Sequence, residues 1–273
     1  MNKTLSPIGE IIHRYGLKPR KALSQNFIHN LNLTKRIVSK AGVLTDTNVI
    51  EIGPGPGGLT RALLDSHAKN VYCIECDTRF KNALAEIQSF HPNRLHLITG
   101  NALLLDLSKV CPPPRKIISN LPFNIATKLL VSWLKSSDDF LGLTLMFQKE
   151  VAERLVAAPG SKSYGRLSVI TQLLYDVKLE FRIKKESFYP PPKVASAVVS
   201  LTRKEKPIQP INLPSLEIVT KAAFGQRRKM LRSSLKPIGL KTERYNILST
   251  KRAEDLSIEE FHKLAIAFKR QNE

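Results

Sequence analysis

Apolar and polar positions along the chain fall into two alternating patterns, short apolar runs and stretches that repeat at helical spacing. From about residue 48 to 148 the alternation is regular. Val49–Ile52 reads as a strand and Leu59–Leu64 as a helix, then Val71–Ile74 as a strand and Phe80–Ile87 as a helix. Leu95–Ile98, Lys116–Ser119 and Leu143–Phe147 complete the strands, with a helix at Ala126–Trp133 before the last. Repeated strand–helix units of this length predict an α/β fold, a parallel sheet with helices on both faces. Such sheets bind ligands beyond the carboxyl ends of their strands.

After Gln148 the pattern loosens. A helix at Glu150–Ala157 leads into a loop, and the strands Val177–Ile183 and Ala195–Leu201 flank the run Phe188-Tyr-Pro-Pro-Pro-Lys193. Charge and proline break the periodicity at Lys204–Pro210, which predicts a boundary. One domain then covers residues 1–206, opening with a basic segment over 1–30, and a small helical domain covers 207–273. Helices are expected there around Leu216–Phe224, Gln226–Leu235 and Ile258–Phe268. There is no internal repeat and no low-complexity tract.

Composition narrows the partners. The 273 residues carry 43 Lys plus Arg against 23 Asp plus Glu, a formal charge of +20. An excess of that size attracts polyanions, and nucleic acid is the commonest reason to carry it. No window of about 20 apolar residues suggests a membrane span. The N-terminus lacks the apolar core of a secretory signal, and Glu10 with Pro7 argues against a mitochondrial presequence, so a cytoplasmic location is expected. Cys73 and Cys76 resemble half a zinc site. No second pair follows, and residues three apart in a strand face opposite sides, so they read as small buried hydrophobes rather than ligands and no metal is expected.

The chemistry gathers at strand ends. Gly53, Gly55 and Gly58 follow the Val49–Ile52 strand, where glycine lets backbone approach a ligand without a Cβ in the way. They also satisfy the dinucleotide fingerprint, with Glu75 roughly 20 residues on, so this loop fits a dehydrogenase as well as a methyltransferase. Glu51, inside the strand just before the first glycine, resembles the acidic position in the first motif of Rossmann-like S-adenosylmethionine enzymes and so favours the methyltransferase. Glu75 can accept the ribose hydroxyls of an adenosine cofactor, and Asn101 can accept a hydrogen bond from its adenine.

Asn120-Leu121-Pro122-Phe123 ends the Lys116–Ser119 strand. The N6 lone pair of adenine is delocalised into the ring, so this amine is a poor nucleophile. The Asn120 side-chain oxygen and the Leu121 carbonyl can each accept one N6 hydrogen, favouring a tetrahedral nitrogen whose lone pair faces a methyl donor. Pro122 lacks an N–H and fixes φ, holding the Leu121 carbonyl outward. Phe123 offers a face on which an extruded base can stack. No general base is needed before attack, because the proton leaves an already cationic product.

Ordered motifs over nearly the whole chain resemble the small-subunit ribosomal RNA adenine N6-dimethyltransferases. They are Lys21-Ala-Leu-Ser-Gln25-Asn26-Phe27-Ile28, Glu51-Ile-Gly53-Pro-Gly55, Asn120–Phe123, Gln148-Lys-Glu-Val, Ser163-Tyr-Gly-Arg166, Phe188–Lys193 and Phe224-Gly-Gln-Arg227-Arg228-Lys229. The resemblance implies a Rossmann-like S-adenosylmethionine-dependent methyltransferase domain with a small all-helical C-terminal domain. It implies two methyl groups on each of two adjacent adenosines near the 3′ end of small-subunit RNA, within an immature subunit. It also implies cofactor contacts at Asn26, Ile28, Gly53, Glu75, Asn101 and Asn120, and an adenine held between Phe123 and Phe188. Two positions depart from the family pattern: Asn101 stands where aspartate is usual, and Phe123 where tyrosine is commoner.

Lys18, Arg20 and Lys21 precede the Gln25–Phe27 segment. In the tail, a helix beginning near Phe224 would carry Phe224, Leu231 and Leu235 on one stripe, with Arg228, Lys229, Arg232 and Lys236 on its flank. Together with Arg227 these bases are expected to contact RNA phosphates, which position the protein without reading sequence. Competing readings are a large-subunit adenine methyltransferase of the antibiotic-resistance type, a non-catalytic assembly or transcription factor, and a nicotinamide-dependent dehydrogenase. A monomer is expected.

Overall fold

A computed structural model describes residues 5–204 and 211–273. The chain divides into two units, Met1–Ala152 with Lys178–Thr202, and Glu153–Val177 with Arg203–Glu273. The predicted boundary at 206 falls at residues 205–210, outside those described; the second unit also takes in residues 153–177.

The first unit opens with α1 (Ile8–Arg14), β1 (Phe27–Ile28) and α2 (Leu31–Ser39). Asn30 caps α2, its side-chain oxygen accepting the Asn32 and Leu33 amides, as an N-cap residue does for the orphan donors of a first turn. The strand–helix units then follow: β2 (Asn48–Ile52), α3 (Gly58–Leu64), β3 (Asn70–Glu75), α4 (Lys81–Phe90), β4 (Leu95–Thr99), β5 (Arg115–Asn120), α5 (Phe123–Lys135) and β6 (Gly142–Gln148). All five residues of β2 are buried, as expected for a parallel strand covered on both faces. After α6 (Lys149–Leu155) and α7 (Arg166–Leu174) come β7 (Tyr175–Ile183), β8 (Phe188–Tyr189) and β9 (Ser196–Arg203).

The main sheet has seven strands in the order β4-β3-β2-β5-β6-β9-β7. The first five run parallel, but β9 pairs antiparallel with β6, Leu145 opposite Val199. The sheet is therefore mixed, not wholly parallel. A doubly wound dinucleotide-binding sheet runs 3-2-1-4-5-6; here an antiparallel strand is inserted beside the fifth. A separate two-stranded ribbon pairs β1 with β8, Phe27 opposite Tyr189 and Ile28 opposite Phe188.

The second unit is completed by α8 (Leu213–Gly225), α9 (Leu231–Ser234) and α10 (Ile258–Asn272). Its core stacks Phe224 against Phe261, ring centroids 5.4 Å apart, with the buried Tyr164 hydroxyl donating to the Leu256 carbonyl. The expected helix over Gln226–Leu235 does not form as one element; only Leu231–Ser234 of it is helical. The chain leaves α8 at Gly225, and Met230 pairs with Arg252 in an antiparallel bridge. The Leu231 and Arg232 amides donate to the Lys251 and Ser249 carbonyls, so tertiary backbone bonds displace the helical ones. Arg227, Arg228 and Lys229 thus sit in an exposed turn, with Arg232 exposed on α9.

Candidate active site

Four predicted motifs meet at the carboxyl end of the parallel strands, around a cavity of about 240 Å³. Asn26, Ile28, Gly53, Gly55, Glu75, Asn101 and the whole of Asn120–Phe123 line it. Their convergence follows from the strand order, which places the ends of β2, β3, β4 and β5 side by side.

The glycine loop turns sharply after β2. Gly53 and Gly55 have φ of +65° and +55°, a region that side chains rarely adopt. At Gly58 the constraint is space, since a Cβ there would lie 2.5 Å from the Ile28 carbonyl oxygen. Glu75 holds the loop: its carboxylate accepts the Gly55 amide at 3.1 Å and the Asp77 amide at 2.8 Å. A carboxylate has about four acceptor sites, so Glu75 can still receive hydroxyls from the cavity. Burial pushes its carboxyl above the usual range, opposed by those amide bonds.

Beneath the loop, Glu51 is 2% exposed. Its Oε2 accepts the Thr60 hydroxyl at 2.7 Å and the Cys73 thiol at 3.3 Å. Burial pushes the Glu51 carboxyl up to about 7, with the Thr60 and Cys73 hydrogen bonds acting against the rise. Cys73 is buried in this group as expected, but Cys76, expected to be buried too, is exposed just past the end of β3 and lines the cavity.

The tetrapeptide is fixed from two sides. The buried Ser119 hydroxyl donates to the Ile52 carbonyl at 2.7 Å, locking the end of β5 to the start of the glycine loop. Pro122 caps α5, its carbonyl accepting the Ile125 and Ala126 amides, and a Cβ on Gly53 would lie 3.6 Å from its ring. The Asn120 side-chain nitrogen donates to the Asn26 carbonyl at 3.2 Å. That bond orients the amide and leaves its oxygen as the acceptor, a partnership between distant segments that the sequence alone does not reveal. Phe123 is half-buried on the cavity wall.

Other predicted residues sit differently. Asn101 is exposed, and its side-chain oxygen accepts the Leu103 amide at 3.0 Å. Phe188 is 4% exposed, packs with Phe27, Ile28 and Phe80 in the core cluster, and is not among the cavity-lining residues. Lys18, Arg20 and Lys21 are exposed on the approach to Gln25. Arg227 donates to the Lys162 carbonyl and pairs with Glu254 at 3.2 Å.

An adenosine-sized cavity bordered by a glycine loop, a strand-end carboxylate and Asn120–Phe123, on a sheet with an inserted antiparallel strand, defines an S-adenosylmethionine-dependent methyltransferase of the Rossmann-like class. The family model described as ribosomal RNA adenine dimethylase matches residues 16–270, and the chain belongs to that family. It is 51% identical over 266 residues to ribosomal RNA small subunit methyltransferase A of Paramagnetospirillum magneticum, covering 96% of this chain and 95% of that one. Among solved structures, a dimethyladenosine transferase from Plasmodium falciparum superposes with a TM-score of 0.77 at 26% identity, covering 90% of this chain and 98% of that chain. The 23S rRNA methyltransferase ErmE superposes with a TM-score of 0.67 at 26% identity, covering 91% and 100%.

Proposed function

We propose that this chain transfers two methyl groups to the N6 of each of two adjacent adenosines near the 3′ end of small-subunit ribosomal RNA. It acts on an immature small subunit, as a monomer in the cytoplasm. The observation that carries the reading is Asn120–Phe123 at the end of β5, its amide oriented by Asn26 and its proline packed on Gly53. The relative at 51% identity, whose name specifies the small subunit, supports the choice of substrate.

S-adenosylmethionine supplies an electrophilic methyl carbon on a sulfonium. The residues present suit it: the left-handed glycines remove side chains from the loop, Glu75 offers acceptors for the ribose, and Asn26 and Ile28 border the same cavity. The Asn120 oxygen and the Leu121 carbonyl accept the N6 hydrogens of the target adenine and direct its lone pair. Phe123 stacks on the base. Alignment and these preorganised dipoles provide the rate, and the methylated nitrogen then releases its proton to water. Arg228, Lys229 and Arg232 in the second unit, and Lys18, Arg20 and Lys21 in the first, bind phosphates of the structured RNA.

The test is methyl transfer from labelled S-adenosylmethionine to small subunits lacking the modification, with mass spectrometry of the digested RNA. N6,N6-dimethyladenosine at two neighbouring sites near the 3′ end is the expected product. Transfer only to large-subunit RNA would replace this reading with the resistance type, and RNA binding without transfer would leave an assembly factor.

A further inference from the structure

The wall of the cavity formed by residues 23–28 belongs to a stretch with little to hold it. Leu17 and Phe27 are buried at 3% and 6% exposure, but none of residues 18–26 between them is buried. Apolar packing therefore fixes the two ends and not the middle. The middle contains a single 3-10 turn, Lys21–Leu23, followed by Ser24 at φ +49°.

Polar contacts take over there, and they converge on one carboxylate. Asp77, whose side chain is 3% exposed, lies two residues beyond Glu75. Its Oδ2 accepts the Gln25 side-chain nitrogen at 3.0 Å and Arg79 Nη2 at 2.6 Å, while its Oδ1 accepts Arg79 Nε at 2.9 Å. The third arm of the guanidinium, Nη1, donates to the Lys18 carbonyl at 2.9 Å. Gln25 Oε1 in turn accepts the Arg20 amide at 2.9 Å. Lys18 and Gln25 are thereby tied to a single point just past the end of β3, the point whose own amide donates to Glu75. The next residue, Asn26, carries the carbonyl that orients Asn120. The Arg79 hydrogen bond also holds the Asp77 carboxyl down to about 2, so the clasp stays ionised throughout the neutral range.

We propose that Gln25, Asp77 and Arg79 are positioning residues for the methyl-transfer reaction: a clasp that seats residues 18–26 against the cavity and so sets cofactor affinity without touching the reacting atoms. An ion pair that merely stabilised the fold would need only Asp77 and Arg79. The neutral Gln25, bridging the Arg20 amide to the buried carboxylate, is the component that a purely structural pair leaves unexplained. This inference rests on the cavity being the cofactor site.

The test uses the full chain and the variants Gln25→Ala, Asp77→Asn, Arg79→Lys and the double variant of Gln25 and Asp77, with Glu75→Ala as a control on the site itself. Three readouts separate positioning from propping: equilibrium dialysis of labelled S-adenosylmethionine, amide hydrogen exchange over residues 18–26, and KM against kcat. For Gln25→Ala we expect cofactor affinity about tenfold weaker, as for a lost hydrogen bond to a charged group. Exchange over 18–26 accelerates, kcat falls by less than the affinity does, through the loosened Asn26 carbonyl that orients Asn120, and the melting temperature is unchanged. Arg79→Lys keeps the charge but loses the planar fork, so it shows the same KM defect. The double variant is no worse than the poorer single variant, because both belong to one network. Wild-type affinity in Gln25→Ala, wild-type behaviour in Arg79→Lys, or affinity that falls only in step with melting temperature would each overturn the clasp. Full cofactor binding by Glu75→Ala would instead overturn the placement of the cofactor, a failure that leaves the exchange readout to decide on the clasp by itself.

Discussion

Glu51 gives the protein a stability that depends on pH in an unusual direction. Its carboxyl sits beneath the glycine loop at 2% exposure, with a folded-state pKa of about 7 against an ordinary 4.5. The folded chain therefore holds this proton over a window in which the unfolded chain has released it. Stability from this group falls as pH rises from about 4.5 to about 7 and is level above that. At about 1.4 kcal/mol for each pH unit, the loss amounts to about 3 kcal/mol. Glu51→Gln keeps an oxygen to accept from Thr60 and Cys73 but cannot ionise. Relative to wild type, the variant should gain about 2.5 kcal/mol between pH 5 and pH 8, or about 5 °C in melting temperature. Thermal unfolding of both proteins at each pH cancels every other titrating group. A difference in melting temperature that stays constant from pH 5 to 8 would refute the reasoning, because Glu51 would then be ionised throughout.

Three further outcomes follow from the geometry. Gly58→Ala forces a Cβ against the Ile28 carbonyl, so thermal unfolding should show a loss of about 1–3 kcal/mol from overpacking. Phe188→Ala removes a core side chain and should destabilise by about 3–5 kcal/mol, whereas Phe123→Ala should leave the melting temperature within about 2 °C and slow methyl transfer about tenfold. Arg228→Glu with Arg232→Glu should weaken binding to small subunits and flatten its salt dependence, while Arg227→Ala, already engaged with Glu254, should do less; filter binding across a salt series measures both.

The sequence showed most clearly the elements whose burial is continuous. Strands β2 and β6 are buried along almost their whole length, and β3 and β5 over half or more of theirs, so their apolar runs mark them directly. The edge strand β4 keeps an apolar run with only Leu95 buried. Gly53, Glu75, Asn101 and Asn120 fall at or just past the ends of β2 to β5. Strand direction leaves no such trace. An antiparallel β9 and a parallel one share the same buried run, Ala197–Val199, so the mixed sheet was not legible. Two-residue strands such as β1 and β8 are too short to show a period. The helix expected over Gln226–Leu235 had a plausible stripe in Phe224, Leu231 and Leu235, and all three do pack inward. What broke it was pairing of residues 230–232 with 249–252, a contact that local spacing cannot encode. The same limit hid the bond from Asn120 to Asn26, which joins segments separated by 94 positions.

The central claim is that the Asn120 oxygen, held in place through the Asn26 carbonyl, activates the target amine. The most direct measurement is single-turnover methyl transfer to unmodified small subunits by wild type and Asn120→Ala, side by side, with cofactor saturating. A loss of about 10²-fold or more in the rate of the chemical step, with the melting temperature unchanged, is predicted for a preorganised dipole acting on the reacting group. A rate within about threefold of wild type would contradict the account and remove Asn120 from the chemistry.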